Sequence, residues 1–268
     1  MRCRATVEAF RAQGVPVRIV VVDNGSRPEA LAFLSGLDVI ELGANTGFGP
    51  GANAGLRWWL EEPDGGEWAV VAPHDALPEP GCLKTMLDAV GARPWAGLAC
   101  AEFGEPGRPV VDRYLGGVLA PSQRRPGWER AGYPHGTLMM ARRACLEDIG
   151  LFDERYFAYC EEADLGVRAR RAGWEVGIVW GAVVDNPYVG NPAPAIDYLQ
   201  VRNSLLLIRE HFGRYPAAIR MLMALFDTTV GAVCPRRRLP FFSLDARRRA
   251  LIDFARGRFG APPIELLG

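Results

Sequence analysis

The sequence has little of several features that would assign a chain quickly. Of its 31 basic residues one, Lys84, is a lysine and the rest are arginines, a skew that reads as GC-rich coding. The 31 acidic residues cancel them, so the formal net charge is zero and bulk electrostatics do not point to nucleic acid. The six cysteines, Cys3, Cys82, Cys100, Cys145, Cys160 and Cys234, are scattered without a CxxC pair. With no secretory signal at the start, they read as reduced thiols of a cytoplasmic protein. No run reaches the roughly 18 uninterrupted apolar residues of a membrane span. Internal repeats and low-complexity tracts are also lacking. What remains is 268 residues, 49% of them hydrophobic, enough for one substantial core with room for an appendage.

The richest stretch is GLFDERYFAYCEEADLGVRARRAGW, Gly150 to Trp174. Leu165, Ala169 and Ala172 recur at helical spacing, Gly173 is placed to end that helix, and Trp174 opens a strand. Glu161, Glu162 and Asp164 therefore fall in the first helical turn, where free N–H groups and the helix dipole favour negative charge. Two readings compete. The acids can simply start a helix, with Asp164 pairing to Arg168. Alternatively, the aromatic run FDERYFAYC in front of them excludes water and makes the cluster a site, in which close acidic neighbours raise a carboxyl pKa toward that of a general base.

Around this stretch the pattern alternates. Residues Cys3 to Gln13 suit a helix stopping at Gly14. The apolar run VRIVVVD then suits a strand buried on both faces, ending in the turn Asp23-Asn24-Gly25-Ser26. Open α/β sheets bind ligands at that end of their strands. A short helix over Arg27 to Ser35 and a strand DVIELG lead to ANTGFGPGANAG. This glycine-rich loop enters a helix and suits close approach to a phosphate or sugar. It loosely matches the dinucleotide fingerprint from Gly47 to Ala52, which keeps a nicotinamide-dependent oxidoreductase as a minor alternative. The next strand delivers Pro73, His74 and Asp75 at the same sheet end; a helix follows from Cys82 to Val90. Residues Pro94 to Trp128 read as irregular loops or a β-ribbon over a cleft. YPHGTLMMARRACLEDIG suits a strand and a short helix, and its His135 reads as structural or exposed. After Trp174 a strand runs to Asp185, Asn186 and Pro187, and two helices follow, one amphipathic (IDYLQVRNSLLLIREHFG) and one very apolar (AAIRMLMALFDTTVGAV).

As an ordered set, VVVDNGS, GANTGFGPGANAG, PHDALPEPG, GTLMMARRACLEDIGLFDERYFAYCEEADLGVRARRAGW, DYLQVRN and RRRALIDFARGRFG resemble the inverting family 2 glycosyltransferases, especially the bacterial rhamnosyltransferase-like branch. The resemblance implies an α/β GT-A fold, the nucleotide-diphospho-sugar transferase fold. It has a mostly parallel central sheet flanked by helices, over residues 1–195, and a helical, arginine-rich region over 196–268. It implies an enzyme moving a sugar from a nucleotide-diphosphate donor (dTDP- or UDP-sugar foremost) to an acceptor hydroxyl, in glycan, envelope or secondary-metabolite biosynthesis. The acceptor would be a glycan, a lipid-linked sugar or a small molecule. Nucleotide-sugar contacts fall on Asp23, Asn24, Ser26, Asn45, Gly47, Asn53 and His74. Glu162 is the base with Glu161 and Asp164 beside it, and Asp75 and Asp185 would hold Mg2+ or Mn2+. Three departures accompany the match. Pro73 replaces the usual first polar residue of the metal motif, Asp185 or Asn186 stands where a histidine is common, and the family's first strand is missing before Cys3.

Two further expectations follow. The carboxyl-terminal region, with its apolar helix and arginine clusters, is expected to touch the inner face of the plasma membrane without crossing it, or else to pack against the catalytic part. The missing strand implies a shortened form of a protein starting about ten residues earlier, with an unfilled sheet position beside Val17 to Asp23. A catalytically silent GT-A domain that binds nucleotide, glycan or a partner protein is the main alternative to an enzyme.

Overall fold

The computed structural model describes residues 2–186 and 192–267; Pro187, read above as a strand end, lies outside them. The chain runs α1 (Arg2–Arg11), β1 (Val20–Asp23), α2 (Pro28–Leu31), β2 (Asp38–Glu41), α3 (Phe48–Glu61), β3 (Trp68–Val71), β4 (Leu77–Pro78) and α4 (Cys82–Gly91). It continues with β5 (Ala96–Glu102), the hairpin β6 (Gly107–Asp112) and β7 (Gly116–Pro121), β8 (Gly127–Arg130), β9 (Met139–Arg142) and α5 (Arg143–Ile149). The last elements are α6 (Glu161–Arg171), β10 (Glu175–Asp185), α7 (Ala193–Phe212), α8 (Arg214–Val233) and α9 (Leu244–Ala255).

The main sheet has the order β3-β9-β5-β10-β4, with β8 also paired to β10. Within it β5 and β10 are parallel, whereas β9 runs antiparallel to both β3 and β5. The expectation of a mostly parallel sheet is thus corrected to a mixed one. The chain makes the excursion β6–β8 and returns as β9 between two strands of opposite sense. β5 also falls in the segment read as irregular. Its residues AGLACAE contain no β-branched or aromatic side chain, so local propensity is silent. Burial decides instead: Ala96 to Ala101 are nearly inaccessible between β9 and β10. Gly97 is required there, because a Cβ would come within 2.7 Å of the Cys145 sulfur and 2.9 Å of Trp174.

β1 and β2 form a separate parallel pair. Among the described residues no strand pairs with the other edge of β1, so the sheet position expected to be unfilled is open. α3 contacts both β1 and β3 and spans the interval between the two sheets.

α7 is not the two-faced helix its sequence suggests. Ile196, Tyr198, Leu199, Val201, Leu205, Leu206, Leu207 and Ile208 are all buried, by α8 and α9 on one side and by α6 and β7 on others. A boundary at 195/196 falls inside its first turn. One apolar cluster joins Phe157 and Ala158 of the aromatic loop to Tyr198, Leu199 and Leu205 of α7, Ala224 of α8 and Ala250 of α9. The carboxyl-terminal helices therefore support the loop that carries the acids.

Candidate active site

α6 begins where the sequence placed it, at Glu161, and Gly173 follows it with φ +96°. The loop in front is strained. Phe157, Tyr159 and Cys160 all have positive φ, which for residues with a Cβ costs about 1–3 kcal/mol each. Phe157 (φ 66°, ψ −60°) forms a γ-turn of the rare positive-φ form, closed by the Ala158 amide donating to the Tyr156 carbonyl at 2.8 Å. Such a backbone persists only if its surroundings over-determine it, and α7 supplies the restraint. The fully buried Asn203 amide donates to the carbonyls of Tyr156, Ala158 and Tyr159 at 2.8, 2.8 and 2.9 Å. Arg202, also buried, donates to the carbonyls of Gly260 and Tyr156. These two residues were present in the DYLQVRN motif without an assigned role. A polar pair inside an otherwise apolar helix was the available signal.

The three acids have three different environments. Glu161 is turned inward against Gly49 of α3, is 2% exposed, and its Oε2 has no hydrogen-bond partner. Burial, reinforced by the charge of Glu162, raises its pKa well above the ordinary carboxylate value. Glu162 is half-buried and packs against the Gly132–Thr137 segment. Its carboxylate accepts from the Gly136 amide, and a Cβ on Gly136 would overlap Oε1. Burial pushes Glu162 up to about 7, against the pull of its own amide and that of Gly136. Desolvation, not the expected pair of acidic neighbours, is the leading cause.

Asp164 is held on both carboxylate oxygens. Its Oδ2 takes Arg168 Nε at 2.8 Å and its Oδ1 takes His211 Nε2 at 2.7 Å. Arg171 donates to His211 Nδ1, which leaves Nε2 as the nitrogen that donates to Asp164. Burial opposes ionisation of Asp164, but the His211 hydrogen bond and the Arg168 charge outweigh it and hold the pKa below the usual value. The helix-start reading was right for this residue alone.

The other expected positions sort likewise. Asp23 is buried and accepts from the amides of Gly25 and Ser26, closing its own turn, while Ser26 is exposed. Asn24 ties that turn to the glycine loop, donating to the Gly47 carbonyl and accepting from Thr46 N and Oγ1. Asn45 accepts from the Gly47 amide. Gly47 must be glycine, since a Cβ would overlap the Phe157 carbonyl. Asn53 is 1% exposed and engaged with Phe152 N and O and with Glu154, so it fastens the aromatic loop to α3. His74 is exposed, its carbonyl accepting from Thr6 Oγ1. Asp75 is 6% exposed, and among the described residues no donor or cation meets its carboxylate. The antiparallel pairing of β4 with β10 sets Asp185 opposite Leu77, close in register to Asp75. Two carboxylates at one sheet end are a hard oxygen donor set suited to Mg2+ or Mn2+, although no cluster of three ligand-type residues occurs among the described residues. His135 is no ligand: it stacks on Phe103 at 3.8 Å and accepts from Thr137, and burial lowers its pKa to about 4.

The turn after β1, the glycine loop, Asp75 and the α6 acids thus converge on one end of the sheets. A family model, glycosyl transferase family 2, matches residues 3–150, more than half of the chain. The chain belongs to glycosyl transferase family 2. An N-acetylglucosaminyl-diphospho-decaprenol L-rhamnosyltransferase of Mycobacterium tuberculosis (strain CDC 1551 / Oshkosh) is 31% identical over 192 residues, 59% of this chain and 62% of that protein. The low-salt glycan biosynthesis hexosyltransferase Agl10 of Haloferax volcanii is 26% identical over 178 residues, 62% of this chain and 57% of that one. The matches therefore span about three fifths of each relative. Among solved structures, GalNAc-T7 with UDP, GalNAc and Mn2+ superposes with a TM-score of 0.61 at 13% identity, covering 94% of this chain and 52% of that one. The mannosyltransferase PcManGT of Pyrobaculum calidifontis with GDP-Man and Mn2+ gives 0.56 at 16% identity, covering 96% and 83%. The fold of this family 2 chain is GT-A.

Proposed function

We propose that this protein transfers a sugar from a nucleotide-diphosphate donor to an acceptor hydroxyl with inversion, and that Glu162 is the general base. The observation that carries the reading is the half-buried Glu162 carboxyl, raised to about 7 and oriented by the Gly136 amide at the sheet end where the buried Asp75 carboxylate meets no donor among the described residues. A base with that pKa is largely ionised just above neutrality yet still binds a proton well. In the step proposed, Glu162 takes the acceptor O–H proton as that oxygen bonds to the anomeric carbon. The bond from that carbon to the diphosphate oxygen breaks on the opposite face, and its electron pair leaves with the nucleoside diphosphate. The Asp23 turn and the glycine loop offer backbone amides and open space for the nucleotide. Asp75, with Asp185 nearby, would hold a divalent cation, which when bound neutralises the departing diphosphate.

For the donor we favour dTDP- or UDP-sugars. For the acceptor we favour a lipid-linked glycan at the cytoplasmic membrane face, because the mycobacterial relative's name specifies a diphospho-decaprenol sugar. A silent domain that binds nucleotide without turnover is the second reading, supported by the occupied Asp23 carboxylate and the sparse cation ligands. The test is donor hydrolysis and transfer across dTDP-, UDP- and GDP-sugars. Glu162→Gln is expected to lose turnover by about 10²–10⁴-fold while still binding donor. Donor binding with no turnover by the wild type selects the silent reading. Calorimetry of Asp75→Ala should show weakened donor binding in the presence of metal and no change in chelator. Equal wild-type affinity under both conditions removes the cation role.

A further inference from the structure

α8 carries a second apolar face that the protein itself does not cover. Tyr215, Ala218, Leu222, Leu225, Phe226, Thr229, Ala232 and Val233 are all exposed, at steps of three and four that place them in one row along the helix. Leu222, Phe226 and Val233 are 66%, 67% and 78% exposed, so these are whole side chains in solvent and not edges of the core. The opposite side, with Pro216, Ala217, Ala224, Thr228 and Gly231, is buried, and α8 packs there on α7. The two charged residues in the middle of the helix avoid the row. Arg220 is half-buried with Nε 3.3 Å from Ser204 Oγ, and Asp227 is half-buried. Beyond the helix, Leu239, Phe241 and Leu244 are exposed as well. Arg236 and Arg237 are exposed with no ion pair among the described residues, as is Arg214 at the other end.

We propose that this row is the face on which the protein lies against an anionic lipid surface, with Arg214, Arg236 and Arg237 meeting the headgroups. By length and hydropathy α8 could cross a membrane. Crossing would strip its packed side from α7 and turn Arg220 and Asp227 toward acyl chains, whereas lying flat keeps both contacts. A second copy is the weaker occupant on charge grounds. Two such rows face to face set Arg214 against Arg236 and Arg237 when antiparallel, and like ends together when parallel, with no carboxylate in the row to offset them. An anionic bilayer accepts the apolar row and the arginines together. The surface also lies beside the site: Met221, next to Leu222, packs with the cluster that holds Phe157. That the surface serves a lipid-linked acceptor rests on the proposed transferase reading; the docking itself does not.

Flotation of the full chain with phosphatidylcholine vesicles, and with vesicles that also contain phosphatidylglycerol, tests the inference. The protein should float with the anionic vesicles, less so at high salt. Leu222→Glu with Phe226→Glu should weaken this by about tenfold or more, and Arg236→Ser with Arg237→Ser by a similar factor restricted to anionic vesicles and low salt. Both pairs lie on the surface and should leave melting temperature and donor hydrolysis unchanged. Wild type that stays soluble with both vesicles overturns the proposal, and so does a Leu222→Glu, Phe226→Glu double variant that floats as the wild type does. A wild-type dimer in light scattering that the same double variant abolishes, without flotation, assigns the row to a second copy instead. Failure of hydrolysis alongside normal flotation counts against the transferase reading and not against the docking face.

Discussion

At the scale of single residues, adjacency in sequence says little about shared chemistry. Glu161, Glu162 and Asp164 lie in one helical turn, yet one is sealed with its pKa raised by burial, one is half-buried near pKa 7, and one is bound to Arg168 and His211. The pH dependence follows from the middle one. Glu162 works as a base only when ionised, so kcat/KM for transfer should rise with pH through about 7 and level off above it. The residual activity of Glu162→Gln should lack that limb; a limb that persists in the variant assigns it to another group. Gly136 tests the geometry separately from the charge. Gly136→Ala places a methyl where Oε1 of Glu162 now sits and must displace the carboxylate. Turnover is expected to fall about 10²-fold with donor affinity kept, the size of effect that roughly 1 Å of misplacement brings. Unchanged turnover there shows that the base is elsewhere.

At the scale of elements, the decisive relation is between the aromatic loop and α7. The loop bends through three positive-φ residues only because Asn203 and Arg202 hold its carbonyls. Asn203→Ala takes a donor from three carbonyls, of which Tyr156 keeps the Ala158 amide and Arg202, and each buried carbonyl left unpaired costs about 1–3 kcal/mol unless water enters. The expected outcome is a clear fall in melting temperature together with a loss of turnover larger than the loss of donor affinity, since the loop sets the acids and not the Asp23 turn. Asn203→Asp, which replaces the donor by an acceptor facing carbonyls, should be worse than alanine. If aspartate is tolerated and alanine is silent, the loop does not depend on this clamp.

At the scale of the molecule, two bodies of sheet differ in how firmly they are held. β5 and β10 are flanked by strands on both sides and are buried, whereas β1 and β2 pair only with each other and keep half-buried faces. Stability is then uneven, and hydrogen exchange should show it. Amides of Val20 to Asp23 and Asp38 to Glu41 should exchange well before those of Leu98 to Ala101 and Val176 to Val179. Nucleotide binding should slow the first group selectively, because the Asp23 turn and the glycine loop it grips form that side of the site. Equal protection of both groups in the free protein removes this account of the gap beside β1.

The sequence alone determined the parts whose signals are local. A helix start rich in acid, glycines at Gly47 and Gly173, apolar runs ending in polar turns and an ordered series of motifs made the GT-A architecture legible and pointed to the proposed base. Each rests on neighbours within a few positions, and those travel with the chain. Tertiary structure decided what depends on partners distant in sequence. It made AGLACAE a central strand through burial, reversed β9 to give a mixed sheet, and tied Asn53 to the aromatic loop and Asp164 to Arg168 and His211. It also separated the pKa values of Glu161 and Glu162. Desolvation and hydrogen bonding set a carboxyl's chemistry, and both are supplied here by Gly49, Gly136, Arg168 and His211, residues that become neighbours only when the chain has folded.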